Sequence, residues 1–187
     1  IDIVGALVGI VLTLVVTIFL APILLIESPG PLFFKQKRVG RNGRFFYMYK
    51  FRSMYRDAEE RKKELMDQNE MSGLMFKMTD DPRITKVGRV IRATRIDELP
   101  QIINILKGEM SIVGPRPERV EHVEKYQEEI PEFIYRTKVK GGLTGYAQIY
   151  GKYNTSPKDK LILDMMYIER YSIWRDIKLI FQTIIVF

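Results

Sequence analysis

The sequence has 187 residues, enough for one domain with a hydrophobic core. Its 30 lysines and arginines exceed its 23 acidic residues, and the net charge of +7 favours negatively charged partners: phosphorylated small molecules, an anionic membrane face or nucleic acid. The absence of cysteine excludes a disulfide framework and a thiolate zinc site, and the single histidine, His122, leaves little room for a histidine-rich metal site or a histidine-based triad.

The first predicted element is an apolar helix from Ile1 to Ile26, in which Asp2 is the one charged residue. A helix of this length can reach across a hydrocarbon core of ~30 Å. A cleaved signal peptide is the competing interpretation, but it would need a basic start and a shorter apolar run. Pro22, near the end of this run, removes one helical hydrogen bond. The residues alone leave open a mild kink in a spanning helix, or a break at Ala21-Pro22 that returns the chain to the side from which it entered.

A basic segment without acidic residues follows, from Pro29 to Arg56. Its basic residues are Lys35, Lys37, Arg38, Arg41, Arg44, Lys50, Arg52 and Arg56. Such segments stay on the cytoplasmic side of a membrane helix and attract anionic lipid headgroups, at ~1 kcal/mol for each residue. Within it, "RNGRFFYMYKF" predicts a β-hairpin that turns at Asn42-Gly43. Lys50 and Arg52 share one face of its second strand, which suits phosphate or lipid-headgroup binding, or forms only a solvated strand edge.

The remaining chain predicts mostly short helices, so the expected fold is α+β and mostly helical with a small β-hairpin. The predicted helices are Tyr55–Asn69, Ile84–Thr94, Glu98–Lys107, Arg119–Glu129 and Lys158–Tyr171. A short apolar strand opens "MSIVGPRPE", whereas the glycines of "VKGGLTGYAQIYGKY" predict irregular structure. The final "WRDIKLIFQTIIVF" is too short to span a membrane; it predicts an amphipathic segment in the membrane interface, or one packed against the N-terminal helix.

Two adjacent acids in "RATRIDELPQIIN" are the first candidate functional residues. Asp97 and Glu98 fit the start of a helix, where Asp97 would be the N-cap and Pro100 is tolerated. The same position stabilises an ionised carboxylate, which then stays available as a nucleophile. Adjacent carboxylates near arginines also suit Mg²⁺ and a phosphate. Helix capping and chemistry both remain open on these residues alone.

The second candidate is Arg116 in "GPRPE", where a proline on each side stiffens the loop. A pre-set arginine loses less entropy when it grips a phosphate or stacks on a base. An ordinary exposed turn is the alternative, because Gly-Pro is a common turn dipeptide. The polar surroundings of His122 predict a solvated helix residue with no such role.

An apolar helix, a basic patch, "YKFRSM", "DELPQ", "GPRP" and "GLTGYAQ" occur in this order. This combination closely resembles the bacterial sugar transferase family, the monotopic polyprenol-phosphate phosphoglycosyl transferases, over nearly the whole chain. The resemblance implies transfer of a sugar 1-phosphate from a nucleotide diphosphate sugar, usually a UDP-sugar, to undecaprenyl phosphate with release of UMP. That reaction is the first membrane step in the synthesis of a surface polysaccharide, such as an exopolysaccharide or capsule, or of a glycoconjugate.

The resemblance also implies the roles of four residues. Asp97 would be the nucleophile that carries a covalent phospho-sugar, and Glu98 its dyad partner, assisting at a Mg²⁺ ion or in proton handling. Arg92 matches a family arginine that meets phosphate. Arg116 matches the arginine of the family's Pro-Arg-Pro loop, near the nucleotide. Arg95 departs from the pattern, since a small residue is usual two positions before the aspartate.

The family's membrane helix is re-entrant and breaks at a Ser-Pro pair, which here is Ala21-Pro22, so the break would rest on proline. The implied organisation is a re-entrant helix over residues 1–28 and a catalytic part over residues 29–187, on the cytoplasmic side of the bacterial inner membrane. Membrane lipids, the UDP-sugar and undecaprenyl phosphate are the expected partners, a homo-oligomer remains open, and nucleic acid is not expected. The competing hypotheses are a membrane-anchored basic binding module and a non-catalytic scaffold of polysaccharide assembly, which leave "DELPQ" and "GPRP" unexplained.

Overall fold

The computed structural model describes residues 1–70, 78–151 and 155–186, and these residues are mostly helical with two small sheets. The helices are α1 (Asp2–Glu27), α2 (Ala58–Glu64), α3 (Lys86–Ala93), α4 (Gln101–Leu106), α5 (Val120–Glu129), α6 (Tyr146–Ile149), α7 (Pro157–Glu169) and α8 (Ile173–Val186). The strands are β1 (Phe33–Val39), β2 (Phe45–Phe51), β3 (Met110–Val113) and β4 (Gly141–Thr144). Short 3₁₀ segments lie at Arg41–Gly43, Met66–Gln68, Ile96–Glu98 and Pro131–Lys138. The mostly helical α+β fold is therefore confirmed.

The chain forms two compact units, and both include part of α1. The first unit comprises Ile1–Val8, Lys35–Met48 and Gln101–Phe187, and the second comprises Gly9–Phe34 and Tyr49–Pro100. The boundary expected at residue 28 separates a membrane segment from a catalytic part. This boundary divides the chain by function, whereas the two compact units divide it by internal contacts. The boundary therefore stays a prediction.

Helix α1 buries one narrow stripe and exposes the rest of its apolar surface. The buried residues Ala6, Thr13, Leu20 and Leu24 are spaced by seven, seven and four positions, and so lie on one helical face. The exposed apolar residues are Ile3, Val4, Leu7, Val8, Val11, Leu12, Leu14, Val15, Ile18, Phe19, Ile23, Leu25 and Ile26. An exposed apolar surface of this extent marks a site of membrane or protein contact. Within the described ranges, α1 is the one helix long and apolar enough to cross a membrane.

The C-terminal end of α1 is fixed by hydrogen bonds within the second unit. The carboxylate of Glu27 accepts hydrogen bonds from the backbone N–H groups of Lys86 and Val87, at 2.6 and 3.0 Å. These donors have no partner inside α3 because they belong to its first turn, so Glu27 satisfies them. The helix continues through Ala21 and Pro22 to this end, so proline does not terminate it. The re-entrant path of the chain stays a prediction.

A hydrophobic core joins α1 to the rest of the second unit. Leu20 and Leu24 of α1 form a buried cluster with Phe51 of β2 and Ile91 of α3. Partly buried side chains pack around this cluster: Val16, Leu32, Phe33, Val87, Ile96 and Leu99. Strand, helix and apolar N-terminal helix therefore share one core, which holds the segment after α3 against α1.

The predicted hairpin is present as β1 and β2, which pair in a two-stranded sheet. The strands are antiparallel, because a connection of five residues cannot return a chain to a parallel neighbour. Asn42 has φ of 55° and Gly43 has φ of 74°, backbone angles that asparagine and glycine adopt most readily. The Asn42-Gly43 turn signal was therefore informative.

The irregular structure predicted around "GGLTG" is wrong, because Gly141–Thr144 forms strand β4. It pairs in parallel with β3, with Met110 opposite Gly141 and Val113 opposite Thr144. A Cβ atom on Gly142 would collide with the backbone of Gly114, so this pairing needs glycine at close range. Glycine lowers local strand propensity, and the pairing partner is some 30 residues away, which is why local sequence does not reveal it.

Helix α8 is amphipathic, as the sequence predicted for the C-terminal segment. Its buried Leu179 clusters with Val113 of β3 and Tyr167 of α7. The outer face exposes Trp174, Phe181 and Ile185, of which Trp174 is 82% exposed. Contact of this outer face with the membrane interface stays a prediction.

We expect Leu24→Ala to lower the free energy of unfolding by about 2–4 kcal/mol, because it removes a fully buried side chain from the core between α1, β2 and α3. Leu25→Ala is the matched control, since the neighbouring Leu25 is exposed and leaves no cavity. Thermal unfolding of both variants in the same detergent measures the difference. Equal losses would show that α1 does not pack through this face.

Candidate active site

The acidic pair lies on a 3₁₀ turn, Ile96–Glu98, that follows α3. The residue before the turn, Arg95, has φ of 59° and ψ of 10°, a left-handed conformation that is uncommon for residues other than glycine. This bend redirects the chain between α3 and α4. Asp97 is buried, whereas Glu98 is partly exposed. Because α4 begins only at Gln101, Asp97 is not its N-cap, and capping of α4 does not explain the pair.

Lys50 of β2 holds the two carboxylates together. Its ammonium group donates a hydrogen bond to Glu98 Oε1 at 2.8 Å and lies 3.8 Å from Asp97 Oδ2. The three side chains are only 10–19% exposed, so their charges are weakly screened by water. The cluster therefore brings one ammonium group and two carboxylates close together in surroundings that are mostly shielded from water.

Helix α1 contacts the residues on both sides of the acidic pair. Ile96 and Leu99, on either side of the pair, pack against the cluster that includes Leu20 and Leu24. The hydroxyl of Thr13, a residue 3% exposed, lies 3.4 Å from the carbonyl oxygen of Leu99 and also donates to Gly9 at 2.7 Å. The residues that flank the two carboxylates are thus held against the buried face of an apolar helix.

The other residues predicted near substrate occupy different surroundings. Arg52 is buried, and its guanidinium donates to the carbonyl oxygens of Ser28 and Pro29 just after α1. Burial lowers the pKa of Arg52, and the nearby charge of Arg56 lowers it further. These bonds give Arg52 a structural role, and its binding of substrate stays a prediction. Lys50 contacts the acidic pair, so its predicted role in binding substrate would be exercised at the site itself.

Arg92 lies on α3 in the same unit as the pair and is exposed to solvent. Its charge helps to lower the pKa of Asp81, although burial opposes this shift and bonds from Arg83 contribute more to it. Arg92 therefore adds positive potential within the second unit. Its contact with a phosphate stays a prediction.

Arg116 belongs to the first unit, in the loop between β3 and α5. It is partly exposed, whereas the prolines on both sides of it are buried. A small cavity opens beside this loop and is lined by Arg116, Pro117, Glu118, Phe133 and Arg136, among other residues. The loop is thus packed into the protein and is not the ordinary exposed turn that the sequence also allowed.

Sequence reasoning missed the charged residues behind this loop. Arg136 and Asp164 are buried and paired, with Arg136 Nη2 2.5 Å from Asp164 Oδ2. His122, expected in solvent, is mostly buried, and its Nδ1 lies 3.7 Å from Glu118 Oε2. The signal that could have found them is weak, because charged residues far apart in sequence show no periodicity that marks them as partners.

The acidic pair fits Mg²⁺ by the chemistry of its donors. Magnesium prefers oxygen ligands and is usually bound through one or two carboxylates together with substrate phosphates. In the part of the chain that the structure describes, no group of three or more His, Cys, Asp or Glu side chains could hold a metal ion. The binding of Mg²⁺ by Asp97 and Glu98 stays a prediction.

A lysine-bridged pair of carboxylates thus lies in the same unit as a helix with an exposed apolar surface. A model of the bacterial sugar transferase family matches residues 1–187, so the chain belongs to this family and the resemblance is confirmed. The chain is 51% identical over 184 residues to the galactosyl transferase CpsE of Streptococcus agalactiae, covering 98% of this chain and 40% of that protein.

Two further relatives carry more detailed names. The UDP-N-acetylgalactosamine-undecaprenyl-phosphate N-acetylgalactosaminephosphotransferase of Aeromonas hydrophila is 41% identical, covering 98% of this chain and 41% of that protein. The UDP-glucose:undecaprenyl-phosphate glucose-1-phosphate transferase of Escherichia coli is 40% identical, covering 94% and 38%. The chain therefore spans about two fifths of the length of these relatives.

We expect Lys50→Met to lower the free energy of unfolding by about 1–3 kcal/mol, because it leaves two adjacent, partly buried carboxylates without their shared cation. Lys63→Met is the control, since Lys63 is an exposed lysine on α2 in the same unit. Thermal unfolding at neutral pH compares the two variants. A Lys50 variant as stable as the control would argue against the ion pair.

Proposed function

We propose that this chain is the catalytic part of a phosphoglycosyl transferase that moves a sugar 1-phosphate from a UDP-sugar to undecaprenyl phosphate. The observation that carries the proposal is the pair Asp97 and Glu98, bridged by Lys50 and held beside the apolar helix α1. Both substrates occur in the names of the relatives from A. hydrophila and E. coli. A site for an anionic donor next to a lipid-compatible helix suits a reaction that joins a nucleotide sugar to a lipid phosphate.

In the first step, a carboxylate oxygen of Asp97 attacks the sugar-side phosphorus of the UDP-sugar. A phosphorus–oxygen bond forms to Asp97, the bond to the bridging oxygen breaks, and UMP leaves with the electron pair. In the second step, a phosphate oxygen of undecaprenyl phosphate attacks the same phosphorus. The bond to Asp97 breaks, its carboxylate is restored, and undecaprenyl diphospho-sugar is released. The two anionic substrates then occupy the site in turn instead of repelling each other within it.

Phosphoryl transfer depends mainly on positioning and on stabilisation of negative charge. The ammonium group of Lys50 lies close to both carboxylates and limits the repulsion between them. Glu98 holds Lys50 by their hydrogen bond and, with Asp97, would provide the carboxylate oxygens for Mg²⁺. When bound, the ion would supply neutralisation of charge on the donor phosphates. Arg92 and Arg116 are the proposed phosphate and nucleotide contacts.

We also propose that α1 enters only one leaflet and that both of its ends face the cytoplasm. In the second unit, α1 packs against the dyad segment from Thr13 onwards and ends in the hydrogen bonds of Glu27. In the first unit, Asp2 accepts hydrogen bonds from the hydroxyl of Ser111 and the backbone N–H of Ile112. These polar contacts support the proposal because hydrocarbon around either of them would be costly.

A non-catalytic scaffold and a basic binding module remain the competing functions. The basic segment around the hairpin would serve either of them. Neither requires the cation-bridged carboxylate pair, since a pair of acids weakens binding to lipid headgroups or nucleic acid. The geometry therefore favours the enzyme.

We expect the protein, mixed with Mg²⁺ and the correct UDP-sugar but no lipid, to release UMP in an amount equal to the enzyme. It should gain the mass of one phospho-sugar on the peptide that contains Asp97. UDP-galactose, UDP-N-acetylgalactosamine and UDP-glucose are the first donors to test, because the relatives' names contain these sugars. Asp97→Asn should abolish the mass gain and lower turnover at least about a thousandfold, since an amide is a poor nucleophile.

Asp57→Asn is the control for this experiment, because Asp57 is an exposed aspartate in the same unit. Parallel lines in double-reciprocal plots are expected with both substrates present. UMP release that begins only when lipid is added would point to direct attack by the lipid phosphate. Absence of UMP release with every donor would overturn the enzymatic proposal itself.

The position of α1 can be tested by cysteine labelling, because the sequence has no cysteine of its own. Single cysteines at Ile1 and Arg56 should both react with a membrane-impermeant reagent from the cytoplasmic side only. Arg56 is an exposed residue of the basic segment and reports the side of the catalytic part. A label at residue 1 from the opposite side would show that α1 spans the membrane.

A further inference from the structure

The loop that carries Arg116 is held at four successive carbonyl groups, all within the first unit. Pro115 accepts a hydrogen bond from the backbone N–H of Gly142 at 2.9 Å, and Arg116 from Arg136 Nη2 at 3.0 Å. Pro117 accepts from Arg38 Nη1 at 2.9 Å, and Glu118 from the N–H of Val39 at 3.0 Å. Strands, a 3₁₀ segment and a hairpin thus fix the backbone on which the Arg116 side chain stands.

The side chain of Arg136 donates a hydrogen bond to the carbonyl of Arg116 itself. Its guanidinium is 4% exposed and also binds Asp164 Oδ2, from Nε at 2.9 Å and from Nη2 at 2.5 Å. Its third nitrogen, Nη1, lies 3.5 Å from Glu118 Oε1. One rigid, planar group therefore connects α7, the loop carbonyl and the loop carboxylate.

Glu118 completes this network from the loop side. Lys160 of α7 donates to Glu118 Oε1 at 2.7 Å. Burial alone would raise the pKa of Glu118, but His122, Arg136 and Lys160 outweigh it, so the pKa of Glu118 lies well below its ordinary value. The network balances two buried or half-buried cations, Arg136 and Lys160, with the carboxylates of Glu118 and Asp164. Such a set is costly to bury and is stable only when every member keeps its partner.

A network of buried charges is an expensive way to stabilise a loop. Well-packed apolar residues would hold a loop between a strand and a helix at lower cost. A guanidinium group that is held in place, by contrast, restricts the backbone carbonyl that it binds to the narrow range of positions that a hydrogen bond allows. The carbonyl that it restricts here belongs to Arg116, which is partly exposed and positively charged.

We propose that Arg136, oriented by Asp164 and Glu118, is a positioning residue that sets the direction of the Arg116 side chain for binding the phosphates of the nucleotide donor. This inference rests on the proposed function of Arg116 as a donor contact. Arg136 itself is buried behind the loop and acts through the Arg116 backbone. Its loss affects the donor half of the reaction, whereas the transfer of the phospho-sugar to lipid, in which the nucleotide has already left, is unaffected.

The test is a double-mutant cycle that joins Arg136→Lys with Arg116→Ala. Lysine keeps the charge but cannot bind Asp164 and the Arg116 carbonyl as a rigid fork. Arg136→Lys should lower kcat/KM for the UDP-sugar roughly ten- to hundredfold, mainly through KM, because a misplaced contact costs up to about a hundredfold. In protein already carrying Arg116→Ala, the same change should alter donor kcat/KM less than about twofold, since the group that it positions is gone.

A second measurement separates the two halves of the reaction. Protein loaded with the phospho-sugar is mixed with undecaprenyl phosphate, and the rate of lipid product formation is followed. Arg136→Lys should leave this rate within about twofold of the unmodified protein. Asp164→Asn, which keeps the shape of the side chain, is the second variant and should change donor KM in the same direction. It keeps the test open if Arg136→Lys does not fold.

Arg83→Lys is the matched control. Arg83 is also buried and paired with an aspartate, Asp81, but it lies in the second unit. The Arg83→Lys substitution should lower the melting temperature without raising the KM for the UDP-sugar donor. Equal factors for Arg136→Lys in both backgrounds, or equal losses in both half-reactions, would overturn the positioning role and leave Arg136 a stabilising residue. An unmodified protein that releases no UMP with any donor would overturn the proposed function instead, so the two failures are distinguishable.

Discussion

The packing of one face of α1 against the second unit is the constraint on which the candidate active site depends. The turn with Asp97 and Glu98 has no long helix or sheet of its own to hold it. Ile96 and Leu99 pack against the buried cluster that α1 shares with β2 and α3, and the carbonyl oxygen of Leu99 lies 3.4 Å from the hydroxyl of Thr13. An apolar helix that would otherwise be only an anchor thereby becomes part of the support of the site.

Buried charge is used in two different ways in this chain. At the dyad, Lys50 contacts the two carboxylates that are proposed to react and to bind a metal ion. Behind the Arg116 loop, Arg136 and Lys160 contact the carboxylates of Glu118 and Asp164. The first group is proposed to take part in the reaction, and the second to hold a loop in place.

The sequence predicted the local features of this fold well. The hairpin, the α5 and α7 helices, the strand β3 and the amphipathic C-terminal helix all carry their signals within a few residues: a turn dipeptide, a periodicity or a short apolar run. It did not predict strand β4, because glycines that permit close approach of two backbones also remove the usual pattern of a strand. It likewise placed His122 in solvent, since neighbours along a polar helix do not reveal a partner outside that helix.

The candidate site was predicted in part, for the same reason. "DELPQ" and "GPRP" identify Asp97, Glu98 and Arg116 as unusual, because prolines and paired acids are local signals. Lys50 was placed on a basic face but not against the acidic pair, some 48 positions away, and Arg136 and Asp164 gave no signal at all. Arg52 was assigned to the same basic face, yet its guanidinium binds the backbone after α1. Long-range pairing decides these positions, and it is a property of the folded chain.

The contacts of Asp2 have a consequence for how the protein is made. Its carboxylate binds Ser111 across a sequence separation of 109 residues, so the first turn of α1 leaves the ribosome long before its partner exists. At typical synthesis rates of about 5–20 residues per second, that interval is roughly 5–20 s. With α1 in its proposed membrane position, the helix would enter the lipid before the first unit is complete, and the rest of that unit would fold onto a helix already in place.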